Sequence, residues 1–309
     1  MRRNILSVAL LLMLALISSA SAQNVFYYKG APFDQDDHTY HSNLLGRLEG
    51  IEKQSYQGMD VWGQTVVSAQ NTGVITLYHY DGKELRRCGE PFVLASNDKE
   101  NHANVLSMSR TFYQPNDPLP LIYVSQCARG KYRDMKDVLF VERIKRDLKS
   151  SELLQTIYYK DDNHHFGYAL QWVLDNENGF LYGYGNTIDN RNPQNRHRIV
   201  KFRLPEVKDT LVVLTDADLL ENYLIEDTYH QPFNPVGQGL FIHNNLLFMP
   251  VGLGTEKDPS FLYIWDLARH RMYYVIDLSV STQGELEDCA AYGSGLLIQT
   301  QGALYRLDF

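Results

Sequence analysis

Gln57-Gly58-Met59-Asp60-Val61-Trp62-Gly63-Gln64-Thr65-Val66-Val67 decides the fold. A short apolar strand enters a polar, Gly-containing turn and leaves as a second strand, which is hairpin chemistry. The plan returns without a gap in Gln238-Gly239-Leu240-Phe241-Ile242-His243-Asn244-Asn245-Leu246-Leu247-Phe248. It returns again in Asp288-Cys289-Ala290-Ala291-Tyr292-Gly293-Ser294-Gly295-Leu296-Leu297-Ile298. Two divergent copies lie between them. His102-Ala103-Asn104-Val105-Leu106-Ser107-Met108 leads through a loop to Leu119–Val124, and Tyr168–Leu174 turns into Phe180–Tyr184.

Each copy is followed by a third strand ending in polar residues: Ile75–Asp81, Val138–Glu142, Ile199–Arg203, Phe261–Asp266 and Ala303–Asp308. The copies start at 57, 102, 168, 238 and 288, intervals of 45, 66, 70 and 50 residues. Units of three or four short strands recurring every roughly 40 to 50 residues are the signature of a β-propeller. The sequence therefore predicts an all-β propeller of five blades, or six if an interblade stretch hides a degenerate copy. The long intervals hold insertions, and short helices are expected over Asp147–Gln155 and Asp216–Glu226. Only three strands are visible in the last copy, so an N-terminal strand, Asn24–Tyr28, is expected to complete that blade and remove an exposed edge. No run of ten or more residues has strong helical periodicity between successive strands, which excludes a Rossmann-like alternation.

Met1–Ala22 reads as a secretory signal: Arg2 and Arg3, an apolar run from Ile5 to Ile17, then Ala20-Ser21-Ala22 as the cleavage site. The apolar run is short for a bilayer span. Two domain-level segments follow, a signal peptide over 1–22 and a single propeller over 23–309, with the mature chain periplasmic or extracellular. Without Arg2 and Arg3 the chain carries 27 basic against 37 acidic residues, a formal charge of −10. That balance argues against a partner held through nucleic-acid phosphates or an anionic membrane surface. The three cysteines, Cys88, Cys127 and Cys289, form no disulfide framework and no CxxC metal motif. Cys289, among small residues, reads as a buried structural thiol.

The Gln57-Gly58-Met59-Asp60 opening, and His102-Ala103-Asn104 followed by Leu119–Ser125, resemble repeats of exported bacterial β-propeller proteins that have no assigned chemistry. The resemblance covers residues 45 to 309. It implies the fold and export and carries no activity.

The innermost strands of a propeller line its axis, and their entrances converge on a natural ligand site. The aligned copies nominate Gln57, His102, Tyr168, Gln238 and Asp288 as that ring, with Asp60, Asn104, His165 and Glu287 close by. The first expectation is a binding or scaffold protein that recognises a glycan, a small molecule or a protein at the channel mouth or rim. The alternative is a hydrolase. A glycosidase needs two carboxylates about 5 to 10 Å apart, one of them protonated; Asp60, Glu285, Glu287 and Asp288 are available, with Asp60 as base and Glu287 as acid the expected pair. A metal-dependent lactonase would hold Ca or Mg on the axis through Glu287, Asn104 and Asp288. No cofactor is otherwise implied. Asp34-Gln35-Asp36-Asp37-His38 with His41 lacks calcium-loop spacing, and His164-His165 has no ligand at standard zinc spacing. No Gly-x-Ser-x-Gly elbow or phosphate loop is present. Trp62, Tyr113, Tyr132, Trp172, Tyr182, Tyr184 and Tyr229 either stack on a ligand or fill the space between blades. Loops 113–120, 130–136 and 187–197 are candidate recognition rims, the last a basic island with Arg191, Arg196 and Arg198.

Overall fold

In a computed structural model the chain, described over residues 40–127 and 130–309, folds as a five-bladed β-propeller. From the axis outward, the first blade is Tyr56–Trp62, Thr65–Gln70, Val74–Tyr80 and Leu85–Arg87, with Phe92–Val93 also paired to the third strand. The second is Val105–Met108, Ile122–Ser125, Leu139–Ile144 and Ser151–Tyr159. The third is Leu170–Asp175, Phe180–Asn186, His197–Arg203 and Glu221–Leu224. The fourth is Phe241–His243, Leu246–Val251, Phe261–Asp266 and Arg271–Asp277. The first three strands of every blade are those read from the repeat. Their hairpins turn where the sequence supplies Gly or Asn: Gly63 and Gly293 have φ near +60°, and Asn244 and Asn245 take positive φ in the fourth blade.

The last blade, Leu286–Tyr292, Gly295–Thr300 and Ala303–Asp308, is closed by His41–Arg47. An N-terminal strand thus seals the ring, pairing antiparallel from His41 with Asp308 to Arg47 with Ala303. Closure covers the edge of the C-terminal strand and leaves the short polar strand His41–Arg47 as the outer edge of that sheet. The segment expected in this role, Asn24–Tyr28, lies outside the described residues, as do the signal sequence and Asp34–His38. The polar composition of His41–Arg47 hides a strand, because an outermost strand has one face and one edge in water.

Two helix expectations are corrected. Residues 151–159 form the outer strand of the second blade, where Glu152 points out to Arg143 at 3.3 Å while Gln155, Thr156 and Ile157 are buried. Asp216–Glu226 divides into a one-turn 3-10 helix, the strand Glu221–Leu224 and the start of a second 3-10 turn. Such short segments cannot repay helix nucleation, whereas pairing with Arg198–Lys201 completes the third blade. Leu211–Leu214 adds a fifth strand, parallel to Thr156–Tyr159, on the second blade.

The core lies between blades. Val67, Leu106, Val124 and Phe140 fill one interface, and Val173, Tyr184, Leu247 and Trp265 fill another. Trp172 is buried with its indole N–H donating to Asp137 O at 2.7 Å, and Tyr182 and Tyr184 are buried too. These three aromatics pack the blades; Tyr113 is exposed. Trp62, Tyr132 and Tyr229 are half-buried against the same clusters. The three cysteines are free thiols, Cys88 exposed and the other two buried. Among the described residues no helix is long and apolar enough to cross a membrane.

Candidate functional site

All inner strands begin at one end of the axis, the mouth face. The loops entering them, and those joining second to third strands, gather there. Loops 130–136 and 187–197 are therefore at the mouth, and loop 113–120 is at the opposite face.

Below the mouth the axis is closed by one carboxylate. Asp288, fully buried, accepts through Oδ1 from Leu240 N (3.1 Å) and Cys289 N (2.9 Å). Through Oδ2 it accepts from Met59 N (2.8 Å) and Leu106 N (3.4 Å). Amides of the first, second, fourth and last blades thus meet at a single side chain. Two glycines make room for it. A Cβ on Gly239 would collide with Asp288 Oδ1, and one on Gly58 would stand 2.5 Å from Leu106 N. Gly58 N also donates to Ala103 O at 2.8 Å. The Gly of each Gln-Gly pair therefore serves close approach at the axis.

Asp60 forms a second such tie between the first two blades: Oδ1 accepts from Val61 N at 2.7 Å and Oδ2 from Met108 N at 2.6 Å. Burial pushes its carboxyl up to about 7 despite these donors. Burial pushes Asp288 up as well, opposed by its amide donors and reinforced by the charge of Asp60.

Two residues before each amide held by Asp288 stand Gln57, Asn104, Gln238 and Glu287. The third blade adds Gln171, whose Nε2 donates to Gly237 O at 3.3 Å beside the Asn104 Nδ2 bond to Gln238 O at 3.1 Å. Gln238 Nε2 in turn donates to Glu285 Oε1 at 2.6 Å, and Gln301 donates to Glu287. Asn104 Oδ1 and Gln171 Oε1 are buried acceptors with no donor among the described residues. Glu287, 2% exposed, is pushed up first by burial and then by the neighbouring charge of Glu285, with Gln301 opposing. Glu285 is raised too, chiefly by burial.

The structure thus brings Gln57, Asn104, Gln238 and Glu287 to one level and places Asp288 one residue deeper, as the plug. His102 and Tyr168 sit above, where the chain enters the inner strands: His102 N donates to Gln126 O at 3.0 Å, and Tyr168 O accepts from the Lys136 ammonium. Gln171 and Glu285 join the site although they are not at the equivalent ring positions of the repeat; Glu285 is one of the carboxylates the sequence offers there. The bulges at 57–58 and 287 shift the register by a residue, which an ungapped comparison cannot register. Met59 and Leu240 are buried against the plug; Tyr168 is half-buried and takes no part in it.

At the rim, a cleft of about 480 Å³ runs beside loop 187–197, lined by Arg191, Asn195, His197, Glu226 and Phe233 among others. The basic island is partly neutralised by the pairing of Arg196 with Asp227, while Arg198 donates to the neutral amide of Asn222. His165 is half-buried on the same face, outside the ring, beside Asp216.

No family model matches the chain, and no curated protein does. Among solved structures it is similar to the glutaminyl cyclase of Myxococcus xanthus, at 12% identity and a TM-score of 0.47, covering 87% of this chain and 96% of that one. It is also similar to a putative oxidoreductase (glucose dehydrogenase) of Thermus thermophilus, at 11% identity and a TM-score of 0.46, over 87% of this chain and 100% of that one. A third is the tail fiber of Staphylococcus aureus phage P68, at 12% identity and a TM-score of 0.47, over 95% of this chain and 55% of that one.

Proposed function

We propose that this chain is an exported binding protein, of the bacterial propeller kind its repeats resemble, that takes a small hydrogen-bond-donating ligand, a saccharide or an amine, at the mouth of its axis. One observation carries the reading: Asn104 Oδ1 and Gln171 Oε1 are buried acceptors without donors, at the same level as Glu287. A buried acceptor left unpaired costs about 1–3 kcal/mol, which a ligand hydroxyl or ammonium recovers on binding. Gln57, Gln238 and Glu285 complete a polar lining, and the 130–136 and 187–197 loops stand around it.

Thermal shift of the purified chain against monosaccharides, oligosaccharides and alkylamines tests this, since a ligand specific for the folded state raises Tm by mass action. A shift that Gln171→Leu and Asn104→Leu both abolish is expected. A shift unchanged in both variants, or none with any ligand class, ends the reading and moves attention to a protein partner on the rim.

A second reading, hydrolysis of a glycan or lactone, is favoured by Glu287, which burial and the charge of Glu285 push up further than Glu285 itself is raised. Neighbouring carboxyls whose environments separate their pKa values are what a general acid and base require. Asp60 fits the base role less well, because both of its oxygens already accept backbone amides. Product formation from a bound glycoside or lactone, lost in Glu287→Gln while binding persists, selects this reading over simple recognition.

A further inference from the structure

Away from the axis, the mouth face carries a cluster that the ring does not use. Asp161, His165 and Asp216 each offer one ligand atom, and the three atoms lie within 4.8 Å of one another. The outer strand of the second blade ends at Tyr159 and its parallel neighbour ends at Leu214, so the two loops that follow start side by side. That pairing delivers Asp216 to the turn at Asp161–His165, 51 to 55 residues earlier in the chain.

Arg198 donates to Asn222 Oδ1, and Asn222 Nδ2 lies 3.2 Å from His165 Nε2. That nitrogen has a single lone pair, so an ion ligated there takes the place of the Asn222 contact. Asp216 Oδ1 lies 3.6 Å from that same nitrogen. Two ligands of a tetrahedral Zn²⁺, each about 2.0–2.1 Å from the ion, sit roughly 3.4 Å apart.

The carboxylates are already oriented. Asp161 accepts His165 N through Oδ1 and Phe166 N through Oδ2, both at 2.8 Å. Tyr159 donates to Asp216 Oδ1, and Asn163 to Asp216 Oδ2. Donors behind ligating oxygens are the outer shell a metal site needs. Side-chain exposure of 19% at His165 and 25% at Asp216 leaves an entry path.

We propose that Asp161, His165 and Asp216 hold a divalent transition metal ion, Zn²⁺ or one of similar preference, with a coordination position open to water. One imidazole and two carboxylates suit a borderline ion. Three protein ligands with a vacant fourth position match sites that polarise a bound molecule rather than brace a fold. Arg198, close enough to act on Asp161 electrostatically, offsets part of the negative charge and limits affinity.

The test strips the full chain with chelator and titrates it with Zn²⁺ by calorimetry and with Co²⁺ by its visible d–d spectrum. One ion per chain is expected, with a four- or five-coordinate Co²⁺ spectrum. His165→Ala and Asp216→Asn should each weaken binding at least tenfold, His165→Ala also shifting the bands as the nitrogen ligand is lost. Circular dichroism and the Tm of the metal-free variants establish that they fold, and Asp161→Asn serves as a third variant if Asp216→Asn does not. The competing ligand source is Asp34–His41. Binding that survives His165→Ala and disappears in His38→Ala overturns the proposal, and so does the absence of any stoichiometric ion in the parent chain. Failure here leaves the axial ligand site untouched, because no ring residue takes part.

Discussion

The axis holds two polar layers with opposite economies. In the plug, every oxygen of Asp60 and Asp288 accepts backbone amides, and those amides belong to different blades. One residue back along the last inner strand, the ring keeps acceptors that nothing within the described chain satisfies. Both layers are buried and both are built from inner-strand residues. The difference is one of partners: the plug spends its hydrogen bonds on the fold, while the ring holds some in reserve. Burial alone therefore does not mark a functional polar residue; an unmet bonding capacity does.

The largest effect expected from breaking this contrast is at Asp288. Asp288→Ala leaves four amides from four blades without their acceptor, each costing about 1–3 kcal/mol, and a loss upwards of about 5 kcal/mol is expected in urea denaturation. A loss under about 1 kcal/mol would show that water replaces the carboxylate and that the plug is not what joins the blades.

Next comes pH. The folded-state pKa of Asp60 is raised from 3.8 to about 7. Its contribution is therefore fully present below about pH 4 and is lost as pH rises toward 7. Over that window a shift of this size corresponds to about 4 kcal/mol. Glu287 and Asp288, also raised, act in the same direction. The urea midpoint should fall between pH 5 and pH 8, and Asp60→Asn should flatten the slope. A parent protein more stable at pH 8 than at pH 5 would contradict the assignment.

Gly239→Ala should cost about 1–3 kcal/mol, because the added methyl overlaps Asp288 Oδ1 and Glu287 O and the plug must shift. Gly63→Ala is a useful control. A Cβ there meets nothing within 4 Å, so only the strain of its positive φ, about 1 kcal/mol, should register.

The smallest stability change belongs to the ring. Gln171→Leu removes an acceptor with no donor, so stability should stay within about 1 kcal/mol of the parent or improve slightly. The same variant should lose ligand-induced thermal shift. Dissociation of stability from binding at Gln171, set against their union at Asp288, is the sharpest form of the comparison.

Much of the architecture was legible before any coordinates. Gly63, Gly293 and the Asn244-Asn245 pair mark hairpins because few other residues accept positive φ. The alternation around them marks which strands face the axis and favours five blades, with the structure deciding against a sixth. Ring members Gln57, Gln238 and Glu287 follow from the Gln-Gly motifs and from the position of Asp288. The outer strands were not legible: His41–Arg47 and Ser151–Tyr159 are half in water and carry little periodic signal.

The sequence by itself thus determined the repeat and the end of the axis where polar residues gather, because turn chemistry and strand alternation are local properties of the chain. Only the tertiary structure decided which of those polar residues are spent and which are free. Asp288 meets amides from positions 59, 106 and 240, and His165 meets Asp216, through blade-to-blade contacts with no signature in spacing. A bulge of one residue is enough to turn a predicted ring member into a structural plug. Hydrogen-bond capacity is an attribute of the residue, but whether it is already used depends on neighbours that folding brings from far along the chain.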